Sequence, residues 1–155
     1  MKAALGCCRM ERIFFGGDVR MRTQLVVCSH GKYAEGLVAA SEMILGPVEG
    51  VLVYGLMPGV SPDVWREQIA ADFEKASAQG EVRFLVLSDL LGGSPCSAMI
   101  PLMHGFDMDI VTGLNLGMFL EVYCSLDDEN ADLAQLAQDT HLNSCVVLRS
   151  SDFRE

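Results

Sequence analysis

Residues 24–37 read QLVVCSHGKYAEGL, and this stretch contains the change of pattern that decides the fold. Leu25 to Cys28 is a short apolar run of the kind that forms a buried strand, whereas apolar side chains recur at helical spacing from Tyr33 to Leu45. His30 lies at the junction of the two elements. Because ligands bind at the carboxyl ends of the strands in a parallel α/β sheet, this position makes His30 the first candidate functional residue.

A second junction of the same kind lies in residues 84–95, FLVLSDLLGGSP. The strand predicted at 82–87 is the most continuously apolar, as expected for a central parallel strand that is covered on both faces. Asp89 follows this strand as His30 follows the first. In a doubly wound sheet of strand order 2-1-3 the first and third strands are neighbours, so we expect His30 and Asp89 to meet in the crevice between their ends.

Strands and helices alternate along the rest of the chain, with no internal repeat and no linker. Strands are predicted at 24–29, 51–56, 82–87, 109–113 and 145–148. Helices are predicted at 33–45, 61–80, 95–104, 117–126 and 132–140. The pattern predicts one α/β domain over residues 21–155, with a doubly wound, mostly parallel sheet and helices on both faces.

The composition excludes several classes of protein. A formal charge of −10 disfavours binding to nucleic acid and to anionic lipid, and no apolar run approaches the roughly 18–20 residues of a membrane helix. The six cysteines are scattered and show no CxxC or other metal-ligand spacing. We therefore expect reduced thiols, a cytoplasmic location, no metal and no cofactor.

Residues 1–20 differ from the remainder of the chain. They carry four Lys or Arg against Glu11 and Asp18, a local balance of +2, and they show no clean periodicity. We expect this segment to be a non-native or disordered extension, with Met21 as the natural initiator. A weak export signal is the alternative.

The residues around the two junctions suit a histidine that accepts a phosphoryl group. A carboxylate at Asp89 would hold one imidazole nitrogen of His30 and leave the other as the nucleophile. The turn Gly92-Gly93-Ser94-Pro95 would present backbone N–H groups, with Ser94 as the N-cap of the third helix and Pro95 in its first turn. Ser29 and Gly31 flank the imidazole and complete the expected phosphoryl-binding set. His104 and His141 are interpreted as helix C-terminal residues, not ligands.

Together, residues 24–149 resemble the IIA component of the mannose family of bacterial sugar phosphotransferase systems. The matching motifs, in the family's order and spacing, are VVCSHGKYAEGL (26–37), SEMILG (41–46), MPG (57–59), LSDLLGGSP (87–95) and VTGLNLGMFLE (111–121). The chain departs from the family at Cys28, where glycine is usual, and at Gly117, where proline is frequent. Neither departure removes a chemical group from the expected site.

The resemblance implies a flavodoxin-like fold and a phosphotransferase component with a phosphohistidine intermediate. His30 would take phosphate from the carrier HPr on Nε2, Asp89 would bond the imidazole, and Ser94 would contact the phosphoryl group. The group would pass to a IIB protein on a separate polypeptide and so to the IIC/IID permease. The resemblance also implies a homodimer in which an antiparallel last strand, at 145–148, is exchanged.

Two other functions remain open on the sequence. One is the phosphotransfer subunit of a dihydroxyacetone kinase, which shares the fold and the histidine but generally lacks the GGSP turn. The other is a flavodoxin-like regulatory module without phosphotransfer, which would not require His30, Asp89 and Ser94 together.

Overall fold

The computed structural model describes residues 21–146, which form alternating strands and helices. The strands are β1 (Arg22–His30), β2 (Leu52–Leu56), β3 (Val82–Ser88) and β4 (Met108–Thr112). The helices are α1 (Tyr33–Leu45), α2 (Pro62–Ser77), α3 (Ser94–Met99), α4 (Leu116–Cys124) and α5 (Leu133–Asn143), with a short 3₁₀ helix (Ile100–His104) directly after α3. The prediction for residues 1–20 lies outside the described residues.

The sheet is parallel throughout its four strands and has the order β2-β1-β3-β4. Val26 of β1 pairs with Leu52 on one side and with Val86 on the other, and Val86 pairs in turn with Ile110. The predicted 2-1-3 order and the doubly wound α/β fold are therefore confirmed. As a consequence, the carboxyl ends of β1 and β3 lie side by side.

Both faces of the sheet are covered, because successive side chains of a strand point to opposite faces. Val26 and Cys28 belong to the core beneath α2 and α3, whereas Leu25 and Val27 belong to the core beneath α1, α4 and α5. All four side chains are fully buried. This explains why β1 reads as a continuous apolar run and not as an alternating one.

The end of the third helix differs from the prediction. The sequence predicts one helix over 95–104, but α3 ends at Met99 and the chain tightens into the 3₁₀ helix. Pro101 lies in the first turn of that 3₁₀ helix, and it has no backbone N–H with which to continue an α-helical ladder.

The predicted last strand is tested only in part. Cys145 and Val146 follow α5 without strand pairing, and residues 147 and 148 lie outside the described residues. The antiparallel strand and its exchange in a dimer thus stay a prediction.

An aromatic cluster fixes α2 against the sheet. The rings of Phe73 and Phe84 are stacked with centroids 3.9 Å apart, and Phe106 meets both edge-on. Phe73 and Phe84 are fully buried. Such contacts contribute beyond the area that they remove from water.

We expect Phe73→Ala to lower the free energy of unfolding by about 3–5 kcal/mol, because it leaves a cavity beside Phe84. Met43→Ala is the matched control, since the Met43 side chain is 89% exposed and its loss is expected to change stability by no more than about 0.5 kcal/mol. Urea denaturation measures both. Similar small effects for the two variants would contradict the described core.

Candidate functional site

The site begins with the two junction residues of the sequence, which the structure brings together. His30 is the last residue of β1, and Asp89 follows the last residue of β3. The His30 side chain is 49% exposed and that of Asp89 only 15%. An accessible imidazole thus lies on a largely covered carboxylate at the carboxyl edge of the sheet.

The Asp89 carboxylate holds the His30 residue at two points. Its Oδ2 accepts a hydrogen bond from the His30 backbone N–H at 2.8 Å and lies 2.8 Å from His30 Nδ1. Its Oδ1 accepts from the backbone N–H of Leu90, also at 2.8 Å. Because an ionised carboxylate can only accept, Nδ1 carries the proton of the neutral imidazole, and Nε2 then presents a free lone pair.

The Asp89 carboxylate is held in its ionised form. Its burial by itself would raise its pKa, but the hydrogen bonds from His30 and Leu90, together with the positive charge that the His30 imidazole carries when it is protonated, outweigh burial, so the pKa of Asp89 lies below its usual value of 3.8. A negative charge therefore lies against Nδ1 at neutral pH. It can stabilise positive charge that develops on the imidazole.

The glycine turn lies against the other edge of the same ring. A Cβ on Gly93 would lie 2.7 Å from His30 Cε1 and 3.4 Å from Nε2, so only glycine leaves the ring in its place. Gly92 has a φ of +76°, a conformation that favours glycine. The free nitrogen of His30 thus faces the Gly92–Ser94 turn.

The prediction that Ser94 is the N-cap of α3 is wrong. Gly93 occupies the N-cap position in an extended conformation, and Ser94 is the first helical residue. The Gly93 carbonyl accepts the first helical bond, from Ser97 N–H at 2.9 Å. The Ser94 side chain is consequently not required for capping and is exposed beside the turn.

Ser29 and Gly31 have other roles than the predicted contact with a phosphoryl group. The fully buried Ser29 hydroxyl accepts from Ala34 N–H at 2.7 Å and donates to the His30 carbonyl at 3.2 Å. The Gly31 N–H donates to the Leu56 carbonyl at 2.9 Å. Both residues therefore hold the loop between β1 and α1 in place, and neither offers a free donor to a bound group.

Gly55 also helps to hold the β1–α1 loop in place, although it is not among the predicted site residues. A Cβ on Gly55, in β2, would collide with the carbonyl oxygen of Gly31. The available signal was a glycine inside an otherwise apolar strand, which often marks a close approach of another backbone.

His141 also has a more specific position than predicted. It lies in the last turn of α5, but its Nδ1 is 3.0 Å from the Gly113 carbonyl and 3.1 Å from Asn115 Nδ2. Asn115 is itself the N-cap of α4, because its Oδ1 accepts from Met118 N–H. His141 thus joins α5 to the loop after β4, a contact for which the sequence carries no local signal.

Two negative findings apply to residues 21–146. This part of the chain has no group of three or more His, Cys, Asp or Glu side chains arranged to hold a metal ion. Its helices are also too short or too polar for a membrane span.

An accessible histidine that a carboxylate orients, at the carboxyl edge of an α/β sheet, has the geometry that nucleophilic group transfer requires. The family model described as "PTS system fructose IIA component" matches residues 24–139. The mannose-specific EIIAB component of Escherichia coli K12 is 31% identical over 133 residues, which are 84% of this chain and 41% of the relative. The chain thus spans about two-fifths of the length of the curated relatives it matches.

Solved structures agree with this match. The mannose/sorbose-specific IIA subunit from Enterococcus faecalis superposes with a TM-score of 0.74 at 30% identity, covering 83% of this chain and 96% of the other. A PTS IIA protein associated with the fucose utilization operon of Streptococcus pneumoniae gives 0.69 at 28% identity, covering 84% and 96%. The chain belongs to the mannose/fructose IIA family of sugar phosphotransferase systems, and the resemblance seen in the sequence is confirmed.

Acidification tests the state of the Asp89 carboxylate. Because the pKa of Asp89 is lower in the folded protein than its usual value of 3.8, its bonds contribute stability above pH 3.8 that is lost as the pH falls through the folded pKa. We expect the free energy of unfolding of the wild type to decline more steeply below pH 3.8 than that of Asp89→Asn. Urea denaturation over a pH series measures the slopes, and equal slopes would contradict the described bonds.

Proposed function

We propose that this protein is a phosphocarrier that accepts a phosphoryl group on His30 Nε2 from phosphorylated HPr and passes it to a IIB component. The observation that carries the proposal is the 2.8 Å contact between Asp89 Oδ2 and His30 Nδ1, which leaves Nε2 as the nucleophile. Transfer onward would couple uptake of a sugar through a IIC/IID permease to its phosphorylation.

The proposed step requires no chemistry beyond the two histidines. The Nε2 lone pair of His30 attacks the phosphorus of the donor phosphohistidine, a new N–P bond forms, and the N–P bond of the donor breaks. The proton on Nδ1 stays in its bond to Asp89, whose charge offsets the positive charge that the imidazole gains. Since the bonds made and broken are alike, positioning and charge stabilisation set the rate.

The turn at 92–94 is the proposed place of the phosphoryl oxygens. Gly93 contributes space there, but no free donor, because its N–H donates to the Leu90 carbonyl at 3.1 Å. The exposed Ser94 hydroxyl and the exposed backbone of Gly92 are the proposed contacts of these oxygens. The proposed role of Gly93 is therefore to leave space for the imidazole, and not to donate a backbone hydrogen bond as the sequence predicts.

Apolar side chains at the same edge of the sheet support docking of a partner protein. Leu90 and Leu91 precede the glycine turn and are 59% and 76% exposed, and Met57 and Val60 are exposed after β2. With a formal chain charge of −10, such a surface suits transient docking of a carrier with a basic face, such as HPr. The proposal implies a cytoplasmic protein that acts as a homodimer.

The test is phosphorylation by purified Enzyme I, HPr and phosphoenolpyruvate. The wild type is expected to take up one acid-labile phosphate per chain, and His30→Ala none. His104→Ala, which changes an exposed histidine at the end of the 3₁₀ helix, should match the wild type. Asp89→Asn is expected to react roughly 10- to 100-fold more slowly, the usual cost of losing a hydrogen bond to a charged group.

Two results would overturn the proposal: no uptake by the wild type, or equal uptake by His30→Ala. A regulatory module without phosphotransfer would give the first. Uptake that can be passed only to a dihydroxyacetone kinase, and to no IIB protein, would replace the proposal by the related kinase subunit.

A second prediction concerns the space beside the ring. Gly93→Ala is expected to slow phosphate acceptance by at least about ten-fold, because its Cβ displaces the His30 imidazole. Stability should change by less than about 1 kcal/mol, since the displaced ring is half-exposed.

The matched control is Gly36→Ala, in α1, where an added Cβ meets no atom within 4 Å. It should retain the wild-type rate and gain stability by up to about 1 kcal/mol from its helix propensity. Stopped-flow or quenched-flow kinetics with phospho-HPr measure both rates. Equal rates for the two glycine variants would show that Gly93 does not define the site.

A further inference from the structure

Tyr33 lies three residues after His30, at the first position of α1, and its side chain reaches a different loop. The Tyr33 hydroxyl donates a hydrogen bond to the backbone carbonyl of Leu114 at 2.8 Å, across a sequence separation of 81 residues. Leu114 belongs to the loop between β4 and α4 and is 5% exposed. The bond therefore joins the segment that carries His30 to a nearly buried point on the far side of β3.

The same leucine is bonded to the segment that carries Asp89. The Leu114 N–H donates to the Ser88 carbonyl at 3.0 Å, and Ser88, the fully buried last residue of β3, directly precedes Asp89. The Asp89 N–H donates in turn to the Cys28 carbonyl at 3.3 Å. A single residue of the β4–α4 loop, Leu114, thus accepts from the Tyr33 phenol with its carbonyl and donates to the end of β3 with its own N–H.

These bonds form a closed circuit with the site itself. The His30 N–H is bonded to the Asp89 side chain, and the chain leads from Asp89 to Ser88. The Ser88 carbonyl accepts from Leu114 N–H, and the Leu114 carbonyl accepts from the Tyr33 hydroxyl. The chain from Tyr33 back to His30 completes the circuit. We call these five residues the loop clamp. The clamp links three loops at the carboxyl edge of the sheet, and only one of its links is a side-chain hydroxyl that can be removed without changing the backbone.

The phenol is a reliable donor in this position. Its partial burial raises the pKa of Tyr33, and the negative charge of Asp89 raises it further, so the hydroxyl remains protonated well above neutral pH. The effect of Asp89 also indicates that the phenol lies within electrostatic reach of the carboxylate that orients the imidazole.

We infer that Tyr33 is a positioning residue of the His30 site: its bond to Leu114 keeps the start of α1 in register with the end of β3, so that Nδ1 of His30 stays on Asp89. The reaction that this serves is the one under "Proposed function", on which the kinetic part of the inference rests. Tyr33 itself takes no part in the exchange of the phosphoryl group. Its loss would let the imidazole leave Asp89 and adopt the other tautomer.

The test compares Tyr33→Phe with Tyr123→Phe. Each variant keeps the ring and loses one hydroxyl that bonds a backbone group, and the Tyr123 hydroxyl bonds Glu49 before β2, at the opposite edge of the sheet from His30. The first readout is the tautomer of the His30 imidazole in long-range ¹H–¹⁵N spectra at pH 8.5. The second is the rate of phosphate acceptance over a range of phospho-HPr concentrations.

We expect the wild type and Tyr123→Phe to show the Nδ1-protonated form alone. Tyr33→Phe should show a mixture of tautomers and a kcat about five-fold lower, with KM for phospho-HPr unchanged, as for the loss of one hydrogen bond. A Tyr33→Phe variant with wild-type tautomer and wild-type kcat would overturn the inference, even if its stability fell. If the wild type accepts no phosphate, the proposed function fails, whereas the tautomer comparison still decides whether Tyr33 positions His30.

Discussion

The double contact between Asp89 and His30 is the interaction on which the rest of the site depends. One carboxylate oxygen accepts from the backbone N–H of His30 and also lies 2.8 Å from its Nδ1, so it fixes both the main chain and the ring of the same residue. The second oxygen is bonded to Leu90 N–H, which keeps the carboxylate from rotating. With the proton held on Nδ1, the lone pair of Nε2 can only be presented towards the glycine turn.

The fold supplies this contact through strand order. Parallel pairing places β3 beside β1, so both strands end at the same edge of the sheet. Because successive side chains of β1 point to opposite faces of the sheet, its last two side chains lie on different faces. Ser29 continues the face of Leu25 and Val27 and bonds the start of α1, whereas His30 continues the face of Cys28, where Gly93 and α3 lie. The β1–α1 loop is held next to β2 by the hydrogen bond from Gly31 N–H to the Leu56 carbonyl.

Much of the fold and the central contact of the site could be predicted from the sequence. The meeting of His30 and Asp89 follows from two apolar runs that end in polar residues, together with the strand-order rule for doubly wound sheets. The inward position of Ser29 was also available from strand alternation, but a flanking serine was interpreted as a contact instead. The N-cap at Gly93, the collision that Gly55 avoids and the bond of His141 to the β4–α4 loop depend on how loops from distant positions approach one another. No local pattern carries that information.

The nitrogen of His30 that carries the phosphoryl group shows most directly whether Asp89 orients the imidazole for phosphate transfer. Long-range ¹H–¹⁵N spectra of the phosphorylated, ¹⁵N-labelled protein resolve the two imidazole nitrogens. We expect phosphorus on Nε2, with Nδ1 protonated and its proton shifted downfield by the bond to Asp89. Phosphorus on Nδ1 would contradict this role of Asp89, because that nitrogen could not then be bonded to the Asp89 carboxylate.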